Sequence, residues 1–122
     1  MIGYVTLGAS DLERAGAFYD ALLGEVGATR FMDMDGFIAW SNNPKGPALS
    51  IVTPYDGNTC SVGNGVMIAL AVDAPEKVDA LYKKAMELGA TDEGAPGKRL
   101  DNFYAAYFRD LDGNKLNFFC MT

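Results

Sequence analysis

The sequence predicts one α+β domain, residues 1–122, made of two βαβββ modules whose eight strands curl into a mixed sheet. Two observations predict it: the chain repeats itself at about half its length, and each half follows the same order of apolar segments. Repeats are sought first because a missed one gives the wrong fold. At an offset of 63, Tyr4, Val5 and Leu7 fall on Met67, Ile68 and Leu70, and Ser10, Glu13, Arg14 and Tyr19 fall on Asp73, Glu76, Lys77 and Tyr82. An offset of 62 lays residues 27–29 on 89–91, and an offset of 67 lays residues 37–40 on 104–107 and 49–52 on 116–119. Loops absorb the drift. The first module takes in residues 1–60 and the second residues 64–122.

In each half a short apolar segment, residues 2–8 or 66–72, leads into a helix start of capping-box form, Ser10-x-x-Glu13 or Asp73-x-x-Glu76. Leu12, Ala15, Tyr19, Leu22 and Leu23 give the first helix its apolar stripe. Val78, Leu81, Tyr82 and Ala85 do so for the second, which is expected to stop near Gly89. Three strands follow in the first half, at 29–34, 37–41 and 48–53. The second half has a less distinct one near 90–93, with Gly94-Ala95-Pro96-Gly97 read as a loop, then 103–109 and 115–121. Asp35-Gly36 and Asp112-Gly113 read as hairpin turns, glycine supplying the positive φ. Asp110-x-Asp112-Gly113 resembles the start of a calcium loop but lacks its bidentate acid.

Alternation sorts each strand into two faces. Val5, Leu7, Leu49, Ile51, Ile68, Leu70, Leu116 and Phe118 make a bulky aliphatic face suited to the helices. Tyr4, Thr6, Ser50, Met67 and Asn117 belong to a mixed face that a close-packed core would not favour, and a curved sheet would turn that face into a cup. The repeat pairs Tyr4 with Met67 and Ser50 with Asn117.

Composition narrows the chemistry. Ten basic against sixteen acidic residues, net charge −6, disfavour a nucleic-acid partner. No apolar run is long enough for a membrane helix, and no basic stretch followed by an apolar one precedes the first strand, so a cytoplasmic location is expected. Cys60 and Cys120 are read as reduced thiols. The absence of histidine excludes His-based acid–base catalysis, Ser–His and Cys–His nucleophiles and His-ligated metals. The glycines show no phosphate-cradle spacing.

Tyr4-Val5-Thr6-Leu7-Gly8-x-x-Asp11-Leu12-Glu13-Arg14-x-x-x-Phe18-Tyr19, Gly63-Asn64-Gly65-Val66-Met67-Ile68-Ala69, Gly94-Ala95-Pro96-Gly97 and the run from Tyr104 to Asn114 together resemble the vicinal-oxygen-chelate (glyoxalase/bleomycin resistance protein/dioxygenase) superfamily. The resemblance implies paired βαβββ modules around a ligand pocket, a homodimer, and in many enzymes a divalent metal held by His, Gln or Glu at four equivalent strand positions. Those positions here hold Tyr4, Ser50, Met67 and Asn117, weak donors for a hard divalent ion, so neither a metal nor another cofactor is expected.

Trp40, Tyr104 and Tyr107 add aromatic surface, Trp40 and Tyr107 as repeat mates, so the candidate pocket is Tyr4, Thr6, Trp40, Ser50, Met67, Tyr104, Tyr107 and Asn117. Arg30, Arg99 and Arg109 are candidate anion contacts; Asp33, Glu93 and Asp101 are read as solvated or turn carboxylates, and Cys60 has no activating neighbour in sequence. The first reading is metal-independent binding of a small aromatic or cationic molecule by a homodimer. An enzyme of glyoxalase-like lyase, isomerase or dioxygenase type using non-standard ligands, and a regulatory or partner module, stand as alternatives, because function resides in the site rather than in the fold.

Overall fold

Each half of the chain builds one helix and one four-stranded sheet. The computed structural model describes residues 1–122, divided into two units, Met1–Ser61 and Val62–Thr122. In the first, β1 (Tyr4–Gly8), α1 (Leu12–Gly24), β2 (Thr29–Met34), β3 (Phe37–Ser41) and β4 (Ala48–Val52) give the strand order β1-β4-β3-β2. In the second, β5 (Ile68–Ala71), α2 (Pro75–Glu87), β6 (Thr91–Leu100), β7 (Phe103–Arg109) and β8 (Lys115–Met121) give β5-β8-β7-β6. The βαβββ order is therefore as expected in both halves. The eight strands form two hydrogen-bonded sheets rather than one, because each returning last strand pairs in parallel with the first strand of its own half.

The helices bury the faces that the alternation assigned to them. In the first unit α1 buries Ala15, Phe18, Tyr19, Leu22 and Leu23, and the sheet contributes Leu7, Ile38, Leu49 and Ile51. In the second, Val78, Leu81 and Ala85 of α2 are buried along with Ala106, Phe108, Leu116 and Phe118. Phe108 and Phe118 stack with centroids 5.6 Å apart. Each large side chain so buried contributes about 1.5–3 kcal/mol of apolar transfer.

Both helix starts lie one residue beyond the expected cap. Asp11, not Ser10, is the N-cap of α1, its carboxylate accepting from the Arg14 amide at 3.1 Å. The aspartate satisfies an end amide that has no intrahelical partner. Helix α2 has Ala74 at the cap without a side-chain bond, and starts on Pro75, which has no amide hydrogen to satisfy. Asp73 instead pairs with Lys77 at 2.6 Å.

The sixth strand is longer than the sequence indicates. It runs through Gly94-Ala95-Pro96-Gly97, read above as a loop, and the pairing register with β7 shifts three times to accommodate it. Bulges of this kind let glycine and proline sit in an edge strand, where pattern reading finds only a turn. The two expected hairpins are present: Gly36 and Gly113 have φ of 77° and 87°. Asp110 is buried and accepts from the backbone amides of Asp112 and Asn114 and from the Asn114 amide group, so this loop closes upon itself.

Candidate functional site

On the face of the first sheet away from α1 lies a cavity of about 770 Å³. Alternation sets its lining: Tyr4 from β1, Phe37, Ala39 and Ser41 from β3, and Ala48 and Ser50 from β4 share one face by register. β2 adds Thr29, Phe31, Met32 and Met34, and the loop after β3 adds Asn42, Asn43, Pro44 and Gly46. None of these residues carries a formal charge at neutral pH. Aromatic rings and thioethers form the walls, with Tyr4 and Phe37 in an edge-to-face pair at 6.2 Å.

A bulge in β2 makes this wall. Arg30 pairs with Trp40 but Met32 pairs with Ala39, so Phe31 is an extra residue. Strict alternation would have split Phe31 from Met32 and Met34; the bulge brings all three to the cavity. It also puts Arg30 and Asp33 on the helix side. There Arg30 grips Asp20 of α1 with two bonds of 2.8 Å and Asp33 with one of 2.9 Å, while Trp40 Nε1 donates to Asp20 Oδ1 at 2.8 Å. The bond from Arg30 holds the Asp20 carboxyl below the usual range, and that same bond raises the guanidinium. Gly16 makes room for this cluster: a Cβ there would lie 2.8 Å from Arg30 Nη2. Arg30 is thus a structural cation, not an anion contact of the cavity.

Ser50 stands out chemically. It is 0% exposed, it lines the cavity, and its Oγ has no hydrogen-bond partner. Its repeat mate Asn117, 1% exposed, likewise leaves Oδ1 without a partner. A buried polar atom without a partner costs about 1–3 kcal/mol, and here the cost falls on the same sheet position in both units.

The remaining expected pocket residues separate. Thr6 is exposed and in register with Ser50, but lies outside the cavity lining. In the second unit Tyr107 is in register with Asn117, and Arg99 and Lys115 stand over its ring at 5.4 and 5.5 Å. Met67 lines a separate hollow in that unit. Two assignments are corrected. Trp40 is 1% exposed and faces α1 through its bond to Asp20. Tyr104 also faces its helix, its hydroxyl donating to Asp79 at 2.7 Å, which raises the Tyr104 pKa. The reason is register: Trp40 pairs with Leu49 and Phe108 with Leu116, so Trp40 corresponds to Phe108 at an offset of 68, not to Tyr107 at 67. A slip of one residue moves every side chain to the other face.

Sequence reasoning missed Phe31, Met32, Met34 and the residues 42–46 loop. Residues 37, 39 and 41 were legible from alternation alone; the bulge was not. Glu93, read as solvated, is paired with Arg109 at 2.8 Å, and this holds its carboxyl below the usual range. Asp33 is held by Arg30 on the helix side, away from the cavity.

The family model described as Glyoxalase/Bleomycin resistance protein/Dioxygenase superfamily matches residues 1–118. The chain belongs to this superfamily. Among solved structures, a glyoxalase/bleomycin resistance protein from Albidiferax ferrireducens T118 is 35% identical with a TM-score of 0.92, the match covering 100% of this chain and 99% of that one. A hypothetical protein from S. aureus is 26% identical with a TM-score of 0.76, over 98% of this chain and 92% of that one. A glyoxalase/bleomycin resistance protein/dioxygenase family enzyme from Burkholderia phytofirmans PsJN, 20% identical with a TM-score of 0.80 over 98% of both chains, shares the fold. No curated protein matches the sequence.

The divalent metal of many superfamily enzymes does not fit the residues present here. The positions that would ligate it offer a phenol and a hydroxyl in the first unit and a thioether and an amide in the second, with no carboxylate or imidazole. No three His, Cys, Asp or Glu side chains gather elsewhere in a metal-binding group. Hard divalent ions need anionic oxygen or imidazole to offset dehydration.

Proposed function

We propose that this superfamily member binds a small planar aromatic molecule in the cavity of its first unit, without a metal and without turning it over. The observation that supports this reading is the cavity itself: about 770 Å³, walled by rings and thioethers, free of formal charge, with the orphan Ser50 hydroxyl just beneath its surface, an anchor reached by a small shift of the lining. Its volume is within the range of small-molecule sites. The lining holds no carboxylate, imidazole, thiol or amine, so no acid–base pair is assembled there. A cation would meet ring faces but no carboxylate, which favours a neutral ligand over a charged one. The working form in this proposal is a cytoplasmic homodimer. Each unit exposes apolar side chains, Phe31 and Met34 in the first and Val66, Leu100 and Met121 in the second, which supports an apolar partner. No helix is long and apolar enough to cross a membrane.

Calorimetry with 1-naphthol as a neutral planar probe tests the proposal, with native mass spectrometry reporting oligomer and bound mass. Saturable binding, unchanged by chelator and weakened by Phe31→Ala, is expected. Binding that appears only after a divalent ion is added would overturn the metal-independent reading; a monomer at working concentration would overturn the dimer.

A further inference from the structure

From the second unit we infer that the hollow between the 62–67 loop and the adjoining ends of β7 and β8 is a binding site for a small organic monoanion, a carboxylate with an apolar body. The hollow is about 510 Å³, and Arg109 and Lys115 are the only charged residues in its lining. They are direct cross-strand partners in the β7–β8 ladder. Like charges placed opposite one another oppose strand pairing, so this arrangement costs the fold something.

One carboxylate offsets one of the two cations. Glu93 accepts from Arg109 Nε at 2.8 Å, and Arg109 Nη1 donates to the Gly113 carbonyl at 3.1 Å. Lys115 makes no salt bridge and acts on Glu93 only through its charge at longer range; its ammonium lies over the Tyr107 ring at 5.5 Å. The same ring carries Arg99 at 5.4 Å on a guanidinium bonded only to the Ala95 carbonyl. A chain of net charge −6 therefore places two cations over the Tyr107 ring and a third, Arg109, two residues along the same strand and paired with Glu93. Within the hollow the surplus is one positive charge, the complement of a carboxylate rather than of a doubly charged phosphate.

The rest of the lining is suited to an apolar body. Val62, Val66 and Met67 supply aliphatic and thioether surface, and Gly63-Asn64-Gly65 keeps the backbone open to approach. A Cβ on Gly63 would lie 2.6 Å from Val66 Cγ2, so the bare backbone there lets Val66 pack close.

Backbone-amide NMR titration of the full chain at low ionic strength tests the site with benzoate, its neutral isostere benzamide and inorganic phosphate. Benzoate is expected to bind saturably, to shift the amides of Gly63, Gly65 and Lys115, and to weaken with added salt. Lys115→Gln should lower its affinity about fivefold, as for a partly exposed charge contact, and Lys115→Arg should retain it. Thermal melting of both variants confirms that they fold. Equal binding of benzoate and benzamide, shifts confined to Phe31, Met34 and Phe37, or an unchanged affinity in Lys115→Gln would overturn the site. Phosphate binding more tightly than benzoate would overturn the monoanion assignment.

Discussion

Replacing Ser50 by alanine should make the unliganded protein more stable and its first-unit site weaker. Ser50 is 0% exposed and its Oγ has no partner. A buried hydroxyl in that state costs about 1–3 kcal/mol relative to its hydrated form. Removing one oxygen atom forfeits some dispersion contact and leaves a void of about a methyl's size, a loss of roughly 0.5 kcal/mol. The difference is a net gain of about 1 kcal/mol, or about 4 °C in Tm for a chain of this length. Thr6→Ala, on the same face but exposed, should change stability by less than about 0.5 kcal/mol and serves as the control. Urea unfolding of both variants, read by far-UV circular dichroism, supplies the numbers, and 1-naphthol calorimetry supplies the binding side. A Ser50→Ala protein less stable than its parent would refute the reasoning, since it would mean that the hydroxyl is satisfied. Greater stability without weaker binding would keep the orphan but remove it as the ligand's anchor. The trade of stability for a site is a common one.

Other outcomes follow from the Arg30 cluster. Trp40 is the sole tryptophan, buried and bonded to Asp20, so its emission should be blue-shifted and indifferent to 1-naphthol apart from any direct energy transfer; contact quenching by an occupied cavity would place it on the wrong face here. Gly16→Ala would stabilise an ordinary helix by about 1 kcal/mol. Here its Cβ would meet Arg30 Nη2 at 2.8 Å and Ile38 Cδ1 at 3.2 Å, so chemical denaturation should show a loss, and a gain would refute the packing. Asp20 has a folded pKa below its unfolded value, chiefly through the bond from Arg30. Its contribution is thus in place above the unfolded value and is lost as pH falls below about 4. The carboxylate is about half exposed, so that contribution is under about 1 kcal/mol. Asp20→Asn should flatten the acid limb of the stability–pH curve, and an unchanged limb would show the pair to be energetically silent.

The order of elements was legible because local chemistry dictates it. Alternating strands, apolar helix stripes and glycines at Gly36, Gly89 and Gly113 each act over a few residues, and the repeat supplied them twice. Tyr4 and Ser50 came to line the cavity as alternation required, because β1 and β4 pair without a bulge. Trp40 and Tyr104 did not, and no local signal in Phe37–Ser41 or Phe103–Arg109 marks the difference between an offset of 67 and one of 68. That choice is made by partners distant in sequence: Asp20 draws the Trp40 indole, and Asp79 the Tyr104 hydroxyl, to the helix side.

Residue types and their spacing set the βαβββ grammar and the absence of imidazole chemistry, and the family resemblance pointed to the weak metal donor set. Tertiary structure alone decided the β2 bulge that gathers Phe31, Met32 and Met34, the orphaning of Ser50 Oγ and Asn117 Oδ1, and the pairing of Arg109 with Lys115. The physical reason is range. Propensity and periodicity act between near neighbours, whereas strand register, burial and the field at a charge depend on side chains that the chain brings together only when folded.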